Sequence, residues 1–270
     1  LKMLSSLTHR GSDSTGVTVV GESESNQLIL RLWAGKETDY SGCSLDVQRT
    51  IERLGGLIKS IDSLDGYLRL KIIYTGDQVE LAETLVQIKG VEIHSIGECS
   101  EVIKDVGDAN ALERRHSISE IVGSHGIGHV RMATESQVDV GHAHPFWAYP
   151  FPDVTVVHNG QLTNYHKMKR KYEDLSYKFQ TENDSELIAV YLAEKLSRGA
   201  ALEEALRDSL SDLDGTFTFL VCTRNSLGYA KDRWSAKPLV TMETDELVAV
   251  ASEEVALRGI FPMKIDRAEP

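Results

Sequence analysis

The chain has 270 residues, 41% of them hydrophobic and 26% charged, with a formal net charge of −12. That length suits one large domain or a domain with a sizeable insertion, and the composition is that of an ordinary globular protein. The acidic balance argues against a nucleic-acid partner, which would favour a basic face, and no apolar run approaches the roughly 20 residues needed to cross a bilayer.

The opening stretch LKMLSSL reads as a helix with no cap before it, and the close, KIDRAEP, follows directly on strand-like material; residues are expected beyond both ends. The first residues lack the long apolar core of a signal peptide. The glycine-rich turn RGSDSTG (10–16) leads to an apolar strand, VTVVG (17–21), and LILRLWAG (28–35) reads as its partner strand. VQRTIERLGGLIKSI (48–61) is amphipathic at helical spacing. YLRLKIIYTG (67–76) alternates like a strand, VELAETLVQIKG (79–90) reads as a helix and VEIHSIG (91–97) as a strand. This set predicts a small α/β lobe inserted near 45–115, with SISEIVGS (117–124) as a short helix leading back to the main body.

From Gly126 the pattern turns strand-rich, with GIGHVRMAT and VTVVHNG as strands. Amphipathic helices follow at 166–175, 185–199 and 202–213, then strands at 216–223, 227–233, 238–244 and 247–252, and a short helix at 253–260. Strands on either side of a helical block predict two sheets with helices packed outside them. The three cysteines, Cys43, Cys99 and Cys222, are too few and too scattered for a disulfide framework or a CxxC metal site; a reducing, cytoplasmic setting fits them best.

Four polar clusters sit where apolar strands end: Arg10-Gly-Ser-Asp13-Ser, His129-Val-Arg131-Met-Ala-Thr134, His158-Asn159-Gly160 and Glu182-Asn-Asp184-Ser. Each has a plain structural reading. RGSDS suits a solvated turn with Asp13 bonding its own backbone, and Asn159-Gly160 suits a hairpin turn. Asn183 and Glu186 have the spacing of a capping box, with Asp184 favoured at the positive end of the helix. Together, however, the clusters describe a pocket for a small zwitterion. Arg131 offers a planar fork for a carboxylate, Asp184 a counter-charge for an ammonium, and Asn159 with the Gly160 N–H an oxyanion site. A nucleophile is missing from the set.

RGSDSTG resembles the RGxDSxG segment of the class II glutamine amidotransferases, the N-terminal-nucleophile family. In the same order, GHVRMAT resembles that family's GHxRxAT strand, AHPF its AHPH-like segment, VVHNG its VHNG turn and TENDSE its ETDTE-like helix start. The segments GIGHVRMATES, FQTENDSE and DLDGTFTFLV look most like the stand-alone amidotransferase subunits of glutamate-synthase-type systems, N-methylglutamate synthase among them, and the inserted lobe fits that subgroup. The resemblance implies a four-layer αββα sandwich, α+β in class, with the small α/β lobe inserted. It implies an enzyme that hydrolyses the side-chain amide of glutamine to glutamate and ammonia. It gives Arg131 and Thr134 the substrate carboxylate, Asp184 the amino group, Asn159 and Gly160 the oxyanion hole, and Arg10 a place beside the catalytic centre. Ammonia would pass to synthase subunits in a hetero-oligomer; any flavin or iron–sulfur centre belongs to those partners, and no cofactor is expected here.

The chain departs from the family at its nucleophile. Members begin with a cysteine whose thiolate attacks the amide while its free amino group acts as base; the sequence in hand begins at Leu1, and none of its three cysteines lies in a matching motif. A terminal cysteine preceding Leu1 is expected. The alternative is a catalytically inactive, amidotransferase-like subunit with a binding or scaffolding role, for which Phe146, Trp147, Tyr149 and Phe151 offer an exposed aromatic docking loop. His142-x-His144, near His125 and His129, invites a zinc reading, but a third ligand and a carboxylate orienter are not evident. His144 reads better as pocket wall.

Overall fold

A computed structural model describes residues 1–34, 40–133 and 138–261. Helix α1 (Lys2–Ser6) leads through a 3-10 turn (Thr8–Arg10) into β1 (Ser14–Val20) and β2 (Gln27–Trp33). Then come α2 (Tyr40–Arg53), β3 (Leu57–Leu64), β4 (Tyr67–Ile73), α3 (Gln78–Leu85), β5 (Glu92–Gly97), β6 (Ser100–Val106) and α4 (Ala109–His116). The second half runs through β7 (His125–Arg131), β8 (Phe146–Trp147), β9 (Thr155–Leu162), α5 (Tyr165–Asp174), α6 (Asp184–Ser197) and α7 (Leu202–Asp212). It ends with β10 (Gly215–Cys222), β11 (Leu227–Lys231), β12 (Val240–Glu243), β13 (Val248–Ala251) and α8 (Glu254–Arg258). No helix among the described residues is long and apolar enough to cross a membrane.

Apolar clusters define the layers. Val20, Cys99, Ile127, Val157 and Cys222 fill the space between the sheet β6-β1-β7 and the sheet β11-β10-β9-β8. Leu4, Leu112 and Leu257, from α1, α4 and α8, pack on the outer side of the first sheet with Val17 and Val130. Met168, Leu187, Tyr191 and Ala205, from α5, α6 and α7, cover the second with Val156, Phe217 and Phe219. The result is the expected four-layer αββα arrangement. Burial on both faces explains why β1 carries an apolar run rather than clean alternation. It also explains why α6 is buried from Ser185 to Glu194, nearly all round, between the sheet and its neighbouring helices.

The sheet β3-β4-β2-β5, with α2 and α3 against it, has its own core of Leu28, Leu30, Leu32, Ile51, Leu70, Ile72 and Leu81. Here the structure corrects two readings. Strand β2 does not pair with β1; it lies between β4 and β5, and β1 is flanked instead by β6 and β7. Its leucines at 28, 30 and 32 face the lobe's helices. The range 45–115 expected for the lobe thus leaves out β2, and it takes in β6 and α4, which belong with β1. The helix expected over 48–61 ends at Arg53, because Gly55 turns to φ 84° and LIKSI continues as β3.

The aromatic loop is also not as expected. Phe146, Trp147 and Tyr149 are buried, Trp147 and Tyr149 within the lobe's core, and the Trp147 Nε1–H donates to the Phe151 carbonyl (2.6 Å). These rings fasten the lobe to the body and offer no exposed docking face.

Candidate active site

The site forms where β7, β9 and α6 converge. Strand β7 ends in Arg131, and the RGSDS turn clamps that end: the Asp13 N–H donates to the Arg131 carbonyl (3.0 Å), and the Ala133 N–H donates to Asp13 Oδ2 (2.8 Å). Asp13 therefore bonds across the chain, not to its own turn. Arg131 is buried; burial works against its charge, and Asp139 and Asp13 support it. Arg10, at the mouth, donates to Glu253 (2.6 Å).

Asn159-Gly160 is not a hairpin turn. Strand β9 continues through it, with Asn159 opposite Thr218 and Gly160 opposite Phe217 on β10. Gly160 has φ 143°, and a Cβ there would lie 2.0 Å from the Thr216 carbonyl oxygen, so only glycine keeps the strand continuous at this kink. Just beyond it, the Leu162 N–H donates to Asp184 Oδ2 (3.0 Å). Asp184 opens α6 behind the cap Asn183, whose side chain accepts from the Ser185 N–H (2.9 Å). Glu186 does not complete a capping box; it accepts from the Gln180 and Thr181 N–H groups and the Thr181 hydroxyl.

Around these groups lies a cluster of imidazoles that the sequence patterns had not marked as a unit. His129 and His144 face each other at 4.3 Å between ring centroids. The His158 N–H donates to His144 Nδ1 (3.4 Å), which places the His144 proton on Nε2, towards Ser185 Oγ (3.2 Å). His158 Nδ1 lies 3.1 Å from Ser185 Oγ and 3.4 Å from Asp184 Oδ1, and the carboxylate draws its proton to that nitrogen. Burial pushes Asp184 up, but its bond with His158 and the Leu162 N–H hold its carboxyl below the ordinary range. Burial lowers His129 to about 3, with His158, Arg10 and Arg131 adding to the effect; His144 is driven well below its usual value for the same first reason. Both are neutral at pH 7. Among the described residues, His129 Nδ1 and His158 Nε2 are buried without a hydrogen-bond partner.

One cavity of about 400 Å³ brings together Arg10, Arg131, Asn159, Gly160 and Asp184 with His129, His144, His158 and Ser185. Thr134 lies outside the described residues. The local signal for the cluster was present in the alternation of GHVR and in His158 of HNG, but a histidine beside a strand has no signature that distinguishes core from site. His144 does form pocket wall. His142 turns away and bonds Asp139 through Nδ1 (2.7 Å), so the carboxylate orienter not evident in the sequence is in fact present. Among the described residues, no group of three His, Cys, Asp or Glu side chains is placed to hold a metal ion. Cys43, Cys99 and Cys222 are buried and line no part of this cavity, and burial pushes the Cys99 and Cys222 thiols up to about 12.

Residues 129–259 match the glutamine amidotransferase domain family. The chain is 39% identical over 268 residues to a putative glutamine amidotransferase of Methanothermobacter thermautotrophicus, covering 96% of this chain and 87% of that protein. It is 34% identical over 257 residues to the glutamine amidotransferase-like protein GlxB of Rhizobium meliloti, covering 94% and 83%. The solved structure of the allosteric regulatory enzyme of purine biosynthesis superposes with a TM-score of 0.55 at 22% identity, over 90% of this chain but only 44% of that one. The chain belongs to the class II, N-terminal-nucleophile family of glutamine amidotransferases.

Proposed function

We propose that this chain is a glutaminase subunit, which hydrolyses the side-chain amide of glutamine and delivers ammonia to a partner synthase in a reducing, cytoplasmic setting. The observation that carries the reading is the single cavity in which Arg131, Asp184 and the Asn159-Gly160 kink meet. A free α-amino acid needs this combination: a guanidinium for its carboxylate, a carboxylate for its ammonium, and N–H donors for the oxygen of the reacting amide. Thr134 takes a share of the substrate carboxylate in this reading, and Arg10 lines the mouth.

The nucleophile is a terminal cysteine ahead of Leu1. Its thiolate attacks the amide carbon, Asn159 Nδ2 and the Gly160 N–H stabilise the tetrahedral oxyanion, and ammonia leaves with a proton carried by the cysteine's own amino group. Water then cleaves the thioester to release glutamate. A groove of about 450 Å³ supports this placement, since it runs from Leu1 along β7 and β13 to His129, His158 and Asn159. Among the described residues β7 pairs only with β1, and β13 only with β12, so both strands present an open edge to it.

The family likeness extends the reading to a hetero-oligomer of the glutamate-synthase type, whose other subunits hold any flavin or iron–sulfur centre. The test is to incubate the intact protein with a diazo-ketone analogue of glutamine, locate the adduct by mass spectrometry, and assay glutamate release. Labelling of a terminal cysteine with loss of glutamate release is the expected result. A protein that neither takes the label nor releases glutamate is instead a binding or scaffolding subunit.

A further inference from the structure

We infer that Lys104 is a positioning residue for the oxyanion kink, holding the segment 141–144 so that His144 fixes His158 and Ser185; this inference rests on the glutaminase reading of the pocket. Lys104 sits on β6 and is 5% exposed, a rare place for a lysine. Its Nζ donates to the carbonyls of Ala143 (2.9 Å) and Gly141 (3.2 Å) and stands 5.1 Å from the centre of the Phe146 ring. Those carbonyls flank His142, whose own N–H and Nδ1 are bonded to Asp139, so the segment is held from both sides.

The next residue is His144, which accepts from the His158 N–H and reaches Ser185 Oγ. His158 immediately precedes Asn159 and Gly160. The backbone of the segment also lies directly on β1, where a Cβ at Gly16 would fall 2.2 Å from the His144 carbonyl oxygen and 2.6 Å from Lys104 Cβ. Lys104 does not line the glutamine cavity itself, so any effect it has on turnover passes through this segment. It also faces the lobe: Glu92 on β5 is the largest of the charges supporting its ammonium. The lysine therefore links the lobe to the segment that ends in His144.

Burial lowers the Lys104 ammonium to about 8, with Glu92, Glu186 and Asp139 supporting the charge and Arg131 opposing it. The titratable and charged groups facing it are Glu92 and His94 on β5, Arg131 on β7, His144 on the held segment with Asp139 just before it, and Glu186 on α6, and His142 and Lys178 line the same cavity. Burial raises the two glutamates, and both histidines lie well below 6.5. Charge is lost from Lys104 as pH rises through 8, which weakens the charge-assisted bonds to Gly141 and Ala143. The resulting alkaline fall in turnover is opposite in sign to the rise expected from deprotonating a catalytic amino group.

The experiment compares the full-length protein with its Lys104→Met variant, measuring kcat and KM for glutamine against pH. In parallel, the imidazole nitrogens of His144 and His158 are followed by NMR in the wild type. Lys104→Met is expected to lower kcat by about 100-fold, the scale of a misplaced catalytic group, with KM within about threefold, and to abolish the fall in kcat near pH 8. Unchanged kcat, or an alkaline limb that survives in the variant, overturns the inference. If the variant does not fold, the wild-type spectrum decides: His144 signals should shift with a midpoint near pH 8, and their failure to do so overturns it equally. Absence of glutamate release from the wild type overturns the glutaminase reading, and the histidine titration then decides the Lys104–His144 linkage alone.

Discussion

Two polar hollows among the described residues differ in kind, and the larger one is the less promising. A cleft of about 1030 Å³ between the lobe sheet and the body is lined by Arg31, Arg69, Lys71, Glu101 and Arg115. Its buried charges are already matched: the Arg31 and Arg69 Nε–H groups both donate to Glu101 Oε2 (2.8 and 2.7 Å), and Arg69 adds a second bond to Oε1 (2.8 Å). The smaller hollow, at Arg131 and Asp184, keeps buried imidazole nitrogens with no partner among the described residues, beside a strand position that only glycine can fill. Unused hydrogen-bonding capacity marks a site better than volume does, because a buried donor or acceptor left without a partner is costly unless a ligand supplies one.

The contrast can be broken at its structural end by removing Glu101, which should leave two guanidinium groups buried against one another. Glu101→Ala is expected to lower unfolding free energy by about 3–5 kcal/mol, read from the midpoint of chemical denaturation. A loss below about 1 kcal/mol would mean that the cleft is wet and its charges are not bound to each other, and the distinction between the two hollows would fail.

At the functional end, Asn159→Ala should leave the fold intact and slow glutamate release by about 100- to 1000-fold, the usual result of losing one oxyanion donor. KM should change little, because the donor acts mainly in the transition state. If kcat were unchanged, the kink would be a device of strand geometry alone, and the site would lose its defining feature.

These features were unequally legible in the sequence. That Arg131, Asp184 and Asn159-Gly160 would share a cavity could be expected because Arg131 and Asn159-Gly160 come late in strands and Asp184 opens an apolar helix, places where a polar side chain stands out. The partner of β2 could not be read, since a run such as LILRLW is equally suited to either sheet and only the leucine-to-helix packing at Leu28, Leu30 and Leu32 decides. Strand β6 escaped because its sequence, SEVIKDV, is rich in charge and lacks the period-2 alternation of a half-buried strand, although Glu101, Lys104 and Asp105 are in fact buried. Their partners, Arg31, Arg69, Arg115 and the carbonyls of Gly141 and Ala143, come from distant parts of the chain. Burial of charge is a property of the assembled fold and leaves no local trace.

The comparison can be sharpened by acid, because the buried imidazoles of the smaller hollow and the Arg31–Arg69–Glu101 cluster of the larger should respond differently above pH 5. In the smaller one, His129 and His144 are neutral in the folded protein, with values far below 6.5, but take up protons once unfolded. The unfolded state therefore binds more protons between about pH 3 and 6.5, so stability from these residues is fully present above pH 6.5 and is lost as pH falls below it. The charges of the larger cleft, Arg31, Arg69 and Glu101, do not titrate in the upper part of that range: the guanidinium groups stay protonated and Glu101 is held below the ordinary carboxylate value by its arginines despite its burial. Thermal unfolding followed from pH 7 to pH 5 should show a falling Tm in the wild type and a flatter profile in His129→Phe, whose ring can still lie against His144 but takes no proton. Parallel slopes in the two proteins would show that His129 is not held neutral by burial, and the imidazole cluster would then be a solvated surface of the pocket and not a dry wall behind Asn159 and Gly160.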